Sequence, residues 1–318
     1  MAQNYDLIVI GSGPAGQRAA VQAAKLKKKV LVIEKDSLGG SCVHLGTLPS
    51  KTLRESALLQ NTSDKQILEF VMKSKERVVS QEVAVIENQL KRNSVEYIGG
   101  HAHFDDSHHI RVGEKSYHAE KIVIATGTRP SRPANMQIDN ENVFDSDSIL
   151  KLKILPRSLA VIGAGVIGCE YASIFARLGV AVSIIDRRSD LLRAVDLEIV
   201  DQLREQFVGQ NIQLKLGQKL GNIMSEGVGA CVELDSVKVC FDAVLVCMGR
   251  SGNSDQLSLA KVGIAADSRG MLAVNEHYQT SIPHIYAVGD VIGPPALAAS
   301  SSEQGRLASC HAFGVDAG

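Results

Sequence analysis

Two short apolar runs, Leu7-Ile8-Val9-Ile10 and Leu159-Ala160-Val161-Ile162, each stop at a glycine and lie 152 positions apart. Runs of this length bounded by turn residues predict strands buried on both faces. The offset persists beyond them. Gly11-Ser12-Gly13-Pro14-Ala15-Gly16 aligns with Gly163-Ala164-Gly165-Val166-Ile167-Gly168, and Ala-rich helical patterns follow over 14–27 and 166–178. A second apolar strand comes next in both halves, Val30-Leu31-Val32-Ile33 and Val182-Ser183-Ile184-Ile185. Each ends on an acid, Glu34 or Asp186, 23 residues beyond the first glycine. Strands are also predicted around 237–240 and 244–248. Residues 100–118 alternate like a surface β-meander with turns at Asp105-Asp106-Ser107 and Gly113.

The spacing has a chemical reason. The first glycine turns a buried strand sharply into a helix, the second lets the backbone approach a pyrophosphate, and the third lets helix and strand pack closely. The helix N-terminus offers free N–H groups and a positive dipole end to the phosphates. The acid accepts hydrogen bonds from ribose hydroxyls. One such motif is weak; strand, glycines, helix, strand and acid in order, twice, predict an α/β chain with two Rossmann-like dinucleotide-binding domains. Two dinucleotides in one chain suggest electron transfer between them, most often between FAD and a nicotinamide cofactor.

Composition narrows the picture. The 318 residues favour two domains. With Lys+Arg 34 against Asp+Glu 35, the charge excess that nucleic-acid binding needs is missing. No apolar run is long enough to span a bilayer. The N-terminus lacks a basic region followed by an apolar stretch, so a cytoplasmic location is expected. No two of the six cysteines are spaced Cys-x-x-Cys, so most are expected to be free thiols and no zinc site is suggested. His101, His103, His108, His109 and His118 crowd one stretch, with His101 and His103 on one strand face, but their spacing matches no familiar ligand pattern and no metal is expected. The run Lys25–Lys29 reads as a solvated helix C-terminus, favoured by the dipole.

Four further segments resemble the pyridine nucleotide–disulfide oxidoreductases. Ile122-Val123-Ile124-Ala125-Thr126-Gly127 is similar to the strand and turn that return to the flavin domain, and Ile285-Tyr286-Ala287-Val288-Gly289-Asp290 to the second flavin motif. Gly39-Gly40-Ser41-Cys42-Val43-His44-Leu45-Gly46-Thr47-Leu48-Pro49-Ser50-Lys51 resembles the segment lining the isoalloxazine, and Val246-Cys247-Met248-Gly249-Arg250 the strand leaving the nicotinamide domain. Disulfide reductases of the family carry two cysteines five apart; here Thr47 stands five after Cys42, and a hydroxyl cannot close a disulfide. That pattern resembles the soluble pyridine nucleotide transhydrogenases, as do Phe144-Asp145-Ser146-Asp147-Ser148-Ile149-Leu150 and the segment from Gly165 to Phe175. Family members continue into a C-terminal dimerisation domain, whereas this sequence stops at Gly318, so a monomer or weak oligomer is expected.

The resemblance implies an FAD-binding domain over 1–150 and 275–318, interrupted by an NAD(P)-binding domain over 151–274. Gly11, Gly13, Gly16 and Glu34 would hold the FAD pyrophosphate and adenosine ribose, with His101 and Ala102 near adenine. Gly40, Ser41 and Cys42 would line the ring. Thr126, Gly127 and Asp290 would lie near the ribityl and phosphate groups, and Ala298 would start the last helix, facing the pyrimidine. Gly163, Gly165, Gly168, Asp186 and Gly249 would serve the nicotinamide nucleotide. Asp186 suits the 2′-OH of NAD, while Arg187 and Arg188 suit a 2′-phosphate or are simply solvated. Lys51 would lie beside flavin N5 in a buried pair with Glu170, whose disruption would cost about 3–5 kcal/mol; the alternative is two unrelated surface charges. Cys42 either packs on the flavin or serves as a reactive thiol. The expected activity is hydride transfer between NADPH and NAD through FAD. The alternatives are another FAD-dependent NAD(P)H dehydrogenase or diaphorase, or a flavin-binding redox sensor without turnover.

Overall fold

The computed structural model describes residues 3–59 and 66–316. They form two compact units built from separated stretches: Met1–Thr47, Val79–Arg129 and Arg250–Gly318 in the first, Leu48–Val78 and Pro130–Gly249 in the second. Each glycine-rich repeat founds one unit.

In the first unit, the strands Glu96–Gly99, Val30–Glu34, Gln3–Ile10 and Lys115–Ile124 lie side by side and parallel, and Ile285–Ala287 pairs parallel with the end of Lys115–Ile124. Register sets Ile8 between Leu31 and Ile122. A parallel sheet covered on both faces needs apolar residues at successive positions, and Val30–Glu34 is buried throughout. The long strand Lys115–Ile124 serves twice, because its first half runs antiparallel to His109–Val112, which in turn pairs with Ala102–Phe104. This is the meander expected over 100–118. His101 lies just outside its first strand. The histidines of this region stack: His108 lies 4.0 Å from His284 and 5.7 Å from His118, ring centre to ring centre. Among the described residues, no group of three or more His, Cys, Asp or Glu side chains is placed to hold a metal ion. The helix Pro14–Lys25 packs on Gln3–Ile10 and against Ala298–Ala312. It stops short of residue 27 because Lys27 takes a left-handed φ of 59°.

The second unit has five parallel strands in the order Gln213–Leu216, Ala181–Asp186, Ser158–Ile162, Ala243–Val246 and Val143–Asp145. Register sets Ala160 between Ser183 and Val244. One apolar layer joins Leu159, Val161 and Leu245 to Tyr171, Ala172 and Phe175 of the helix Val166–Arg177, and to Leu53, Ala57 and Val71 of the helices Thr47–Leu59 and Gln66–Arg92. The other face carries an antiparallel sheet of Leu220–Glu226, Gly229–Leu234 and Val237–Phe241. Its Ile223, Ala230 and Val232 pack on Ala160, Ile162 and Val244. Cys231 and Cys240 stand directly opposite in that sheet and form a disulfide, a cross-strand pairing that Cys-x-x-Cys spacing does not anticipate. Cys42, Cys169, Cys247 and Cys310 are free. Among the described residues no helix is long and apolar enough to cross a membrane.

Candidate functional site

The two repeats build matching cradles. Gly11 and Gly163 adopt φ of +104° and +111°, and a Cβ on either would overlap a carbonyl of the neighbouring strand end, that of Ala125 or Cys247. Gly16 and Gly168 press helix against loop so closely that a Cβ would collide with the carbonyl of Gly11 or Gly163. Gly13 and Gly165 behave differently. A Cβ on either would meet no protein atom within 4 Å, so the space above the middle glycine is free for a ligand. Each helix that follows begins at that glycine with no side-chain cap, leaving orphan N–H donors and the positive dipole end pointed outward.

The acids hold their own loops. In the first unit, Glu34 accepts from the Ser12 N–H at 2.8 Å and the Ser12 hydroxyl at 2.7 Å, while its other oxygen accepts from the Asp36 N–H at 3.1 Å. The same Ser12 hydroxyl accepts from the Gly39 N–H at 3.0 Å, tying the cradle to the corner where the short helix Gly40–His44 begins. Gly40 lies against Gly13 there; its missing Cβ would sit 3.0 Å from the Gly13 Cα. Ser12 and its bond to Gly39 are invisible in the motif, which leaves that position unspecified.

In the second unit, Asp186 accepts from the Ala164 N–H at 2.7 Å and the Arg188 N–H at 2.9 Å. It also accepts from the Arg188 guanidinium, Nε at 3.0 Å and Nη2 at 2.6 Å. Burial pushes the Asp186 carboxyl up, but Arg188 and the two N–H groups outweigh it and hold the acid below the usual carboxylate range. Arg187 is exposed. Gln218, whose N–H donates to the Asp186 carbonyl at 3.3 Å, has a buried Oε1 without a hydrogen-bond partner among the described residues; nothing in the sequence singled it out.

The remaining residues of the first unit gather near its cradle. The Thr126 hydroxyl is buried and has no hydrogen-bond partner among the described residues. The carbonyls of Thr126 and Gly127 accept from Asn253, side chain and N–H respectively, both at 3.0 Å. Asp290 is half-buried and accepts from Thr128 and Ser301 hydroxyls at 3.4 Å. Ala298 is the first residue of an uncapped helix. Ala102 is buried and His101 exposed. Cys42 and Ser41 are half-buried on Gly40–His44. Burial pushes the Cys42 thiol up, and a hydrogen bond with Thr47 opposes this only partly, so the thiol is neutral near pH 7. These features suit FAD: an unpaired hydroxyl, an open middle glycine and an acid for ribose.

In the second unit, Lys51 Nζ donates to Glu170 at 2.5 Å, and the Ser50 hydroxyl donates to the same oxygen at 3.2 Å. Lys51 lies on the helix Thr47–Leu59 and Glu170 on Val166–Arg177. The expected burial does not hold: the Lys51 side chain is 57% exposed and that of Glu170 21%, because Lys51 opens onto a groove of about 340 Å³ lined by Thr52, Glu55, Phe70 and Arg77. Solvent screening lowers the worth of the pair accordingly. Gly249 ends the strand region after Ala243–Val246, with its carbonyl accepting from the Ser131 N–H at 3.0 Å.

A family model described as pyridine nucleotide-disulphide oxidoreductase matches residues 5–305. A protein of Mycobacterium tuberculosis named soluble pyridine nucleotide transhydrogenase is 43% identical over 333 aligned positions, which cover 98% of this chain and 71% of that protein. One of the same name from Ectopseudomonas mendocina is 44% identical, covering 96% and 70%. Among solved structures, the HOCl-induced flavoprotein disulfide reductase RclA of Escherichia coli superposes with a TM-score of 0.91 at 30% identity, covering 98% of this chain and 71% of that one. LpdA of Mycobacterium tuberculosis does so with 0.92 at 27%, covering 100% and 74%.

Proposed function

Because the chain belongs to the pyridine nucleotide-disulphide oxidoreductase family, we propose that it is an FAD-dependent oxidoreductase that moves a hydride between NADPH and NAD. The first unit's cradle would hold FAD, and the second unit's the nicotinamide nucleotides. The FAD part is taken as 1–150 with 275–318 and the nicotinamide part as 151–274, although compactness alone groups the helix Thr47–Leu59, from Leu48 on, with the second unit. A cytoplasmic location belongs to the same reading.

The observation that carries the proposal is the pair of cradles combined with Thr47. The Cys42 thiol has a hydroxyl for its neighbour, so this position offers no dithiol to relay electrons onward to a disulfide substrate. When bound, the flavin ring supplies a hydride acceptor and donor. The chain supplies binding and orientation. Gly13 and Gly165 leave room for the pyrophosphates, and the uncapped helices present N–H donors to them. Glu34 is available to ribose hydroxyls, the Thr126 hydroxyl to the cofactor's polar chain, and Ala298 starts a helix whose positive end favours negative charge on a reduced ring. Lys51, held by Glu170, whose same oxygen accepts from the Ser50 hydroxyl, presents a cation of the kind that stabilises developing negative charge. Relatives named for transhydrogenation point the same way.

The test is a visible spectrum of the purified chain, followed by anaerobic NADPH and then an oxidised NAD analogue. Flavin absorbance, its bleaching by NADPH and steady reduction of the analogue are expected. A colourless chain that refuses added FAD overturns the reading. Turnover with a quinone or dye but none with the analogue makes it a diaphorase, and bleaching without turnover makes it a sensor.

A further inference from the structure

We propose that the Cys231–Cys240 disulfide is a thiol–disulfide exchange site, opened at the Cys240 sulfur by a small thiol from solvent, and that its opening unlocks the sheet it crosses. Ala230, Val232 and Leu234, with Val239 and Phe241, pack inward on Ala160, Ile162 and Val244. The two cysteines alternate with these residues along their strands and therefore face the other way. They are not equally shielded: Cys231 is 6% exposed and counts as buried, whereas Cys240 is exposed. Exchange depends on which sulfur an incoming thiolate can reach, and here that sulfur belongs to Cys240.

The bond is reversible because the hairpin does not need it to find its register. Asp235 and Ser236 link Leu234 to Val237 with left-handed φ of 47° and 67°, the two-residue turn whose twist matches the strands and sets their pairing. The two sulfurs therefore stay opposed once the bond is broken. The Cα atoms of the pair lie 4.0 Å apart, the close spacing of antiparallel partners that exchange no backbone hydrogen bonds. At this rung the covalent bond is the tie between the strands, and its loss loosens them. The released sulfur also has a partner. Glu226 Oε2 lies 3.6 Å from Cys231 Sγ, and Lys238 Nζ holds the same carboxylate at 2.6 and 2.5 Å, so a reduced Cys231 S–H has an acceptor in place. In the exchange a thiolate bonds to Cys240 Sγ, and the Cys231–Cys240 bond breaks with its electron pair on the Cys231 sulfur, which takes a proton from water. A second thiolate attacks the external sulfur of the mixed disulfide and releases the Cys240 thiolate, which is protonated in turn. Two external thiols are oxidised to their disulfide, and the protein disulfide is reduced to two thiols.

The test starts from the purified folded chain, oxidised with glutathione disulfide and then given dithiothreitol in a urea series below the unfolding transition. Differential alkylation and peptide mass spectrometry follow Cys231 and Cys240 apart from Cys42, Cys169, Cys247 and Cys310. The bond should open at a rate proportional to the thiol and nearly independent of urea, as for a site open in the folded state. Cys231→Ser leaves Cys240, which should take up glutathione from its disulfide about tenfold or more faster than Cys231 does in Cys240→Ser, the contrast between an exposed and a buried thiol. In the reduced parent, amides of Gly229–Leu234 and Val237–Phe241 should exchange with solvent about tenfold or more faster than in the oxidised chain, and glutathione disulfide should restore the slow exchange. A pair that does not oxidise, a bond that opens only as fast as the chain unfolds, equal uptake by the two variants, or unchanged amide exchange would overturn the inference. The urea series and the amide exchange need no variant, so they decide the matter even where a serine replacement does not fold.

Discussion

Lys51 shows how one side chain can be legible in type and not in setting. Its place in Thr47-Leu48-Pro49-Ser50-Lys51 drew attention to it, and the hydrogen bond to Glu170 joins two residues that lie 119 apart in sequence. Its exposure was not readable, because exposure depends on the groove formed by two helices brought together from different turns of the chain. Since the pair is largely solvated, Lys51→Met should lower stability by only about 0–1 kcal/mol. Its effect should fall on rate instead: NADPH-dependent flavin bleaching should slow by about tenfold or more, the usual scale for losing one preorganised charge. A thermal melt alongside stopped-flow bleaching separates the two. Unchanged bleaching with FAD still bound would remove Lys51 from the chemistry. Arg188 and Gln218 mark the limit of reading at this scale, since a sequence places Arg188 two residues from Asp186 but does not reveal that the guanidinium turns back onto the acid.

The glycine-rich elements were the most legible part of the chain, because strand-to-helix turns impose steric rules on single positions. Those rules make a discriminating pair of variants. Gly16→Ala forces a methyl group into the Gly11 carbonyl, so it should destabilise by about 1–3 kcal/mol, the range for overpacking, seen as a lower urea midpoint. Gly13→Ala meets no protein atom within 4 Å and keeps an ordinary φ of −65°. It should melt like the parent chain without cofactor and yet bind FAD poorly, measured by retained absorbance after gel filtration. If Gly13→Ala retains FAD fully, the open space above Gly13 does not belong to the cofactor. The three-stranded sheet was harder to read. Its strand Val237–Phe241 was anticipated, but the partner Gly229–Leu234 was not, and without that register the facing of Cys231 and Cys240 stays hidden.

Across the whole molecule, each repeat founds one compact unit, while the grouping of the helix Thr47–Leu59, from Leu48 on, and of the start of Gln66–Arg92 with the second rests on long-range packing of Leu53, Ala57 and Val71 that periodicity does not specify. Acid sensitivity is a property at this scale. His284 stacks on His108 and donates from Nε2 to the Ser107 carbonyl at 2.7 Å. Burial lowers its pKa, with the Ser107 carbonyl opposing only in part; His311, stacked on His277, is lowered too, again chiefly by burial. A histidine whose folded pKa lies below its unfolded value of about 6.5 favours the fold while neutral. That contribution is complete above this value and is lost as pH falls through the folded pKa. The melting temperature should therefore drop between pH of about 7 and 5, and His284→Gln should drop less than the parent. Equal pH dependence in both would show that this stack does not govern acid stability.

Just after the first glycine the two halves of the repeat differ by a single oxygen, Ser12 against Ala164. The Ser12 hydroxyl hooks its own acid on one side and the Gly39 backbone on the other, fully shut away from water, whereas the Ala164 side chain at the matching place has no polar atom with which to do so. One half is thus stapled to the bend that follows it by a side chain, and its twin by the main chain, where the Ala164 carbonyl accepts from the Leu192 N–H at 3.0 Å. The first latch therefore hangs on one hydroxyl that a single substitution removes, whereas the second is carried by backbone that no side-chain change deletes.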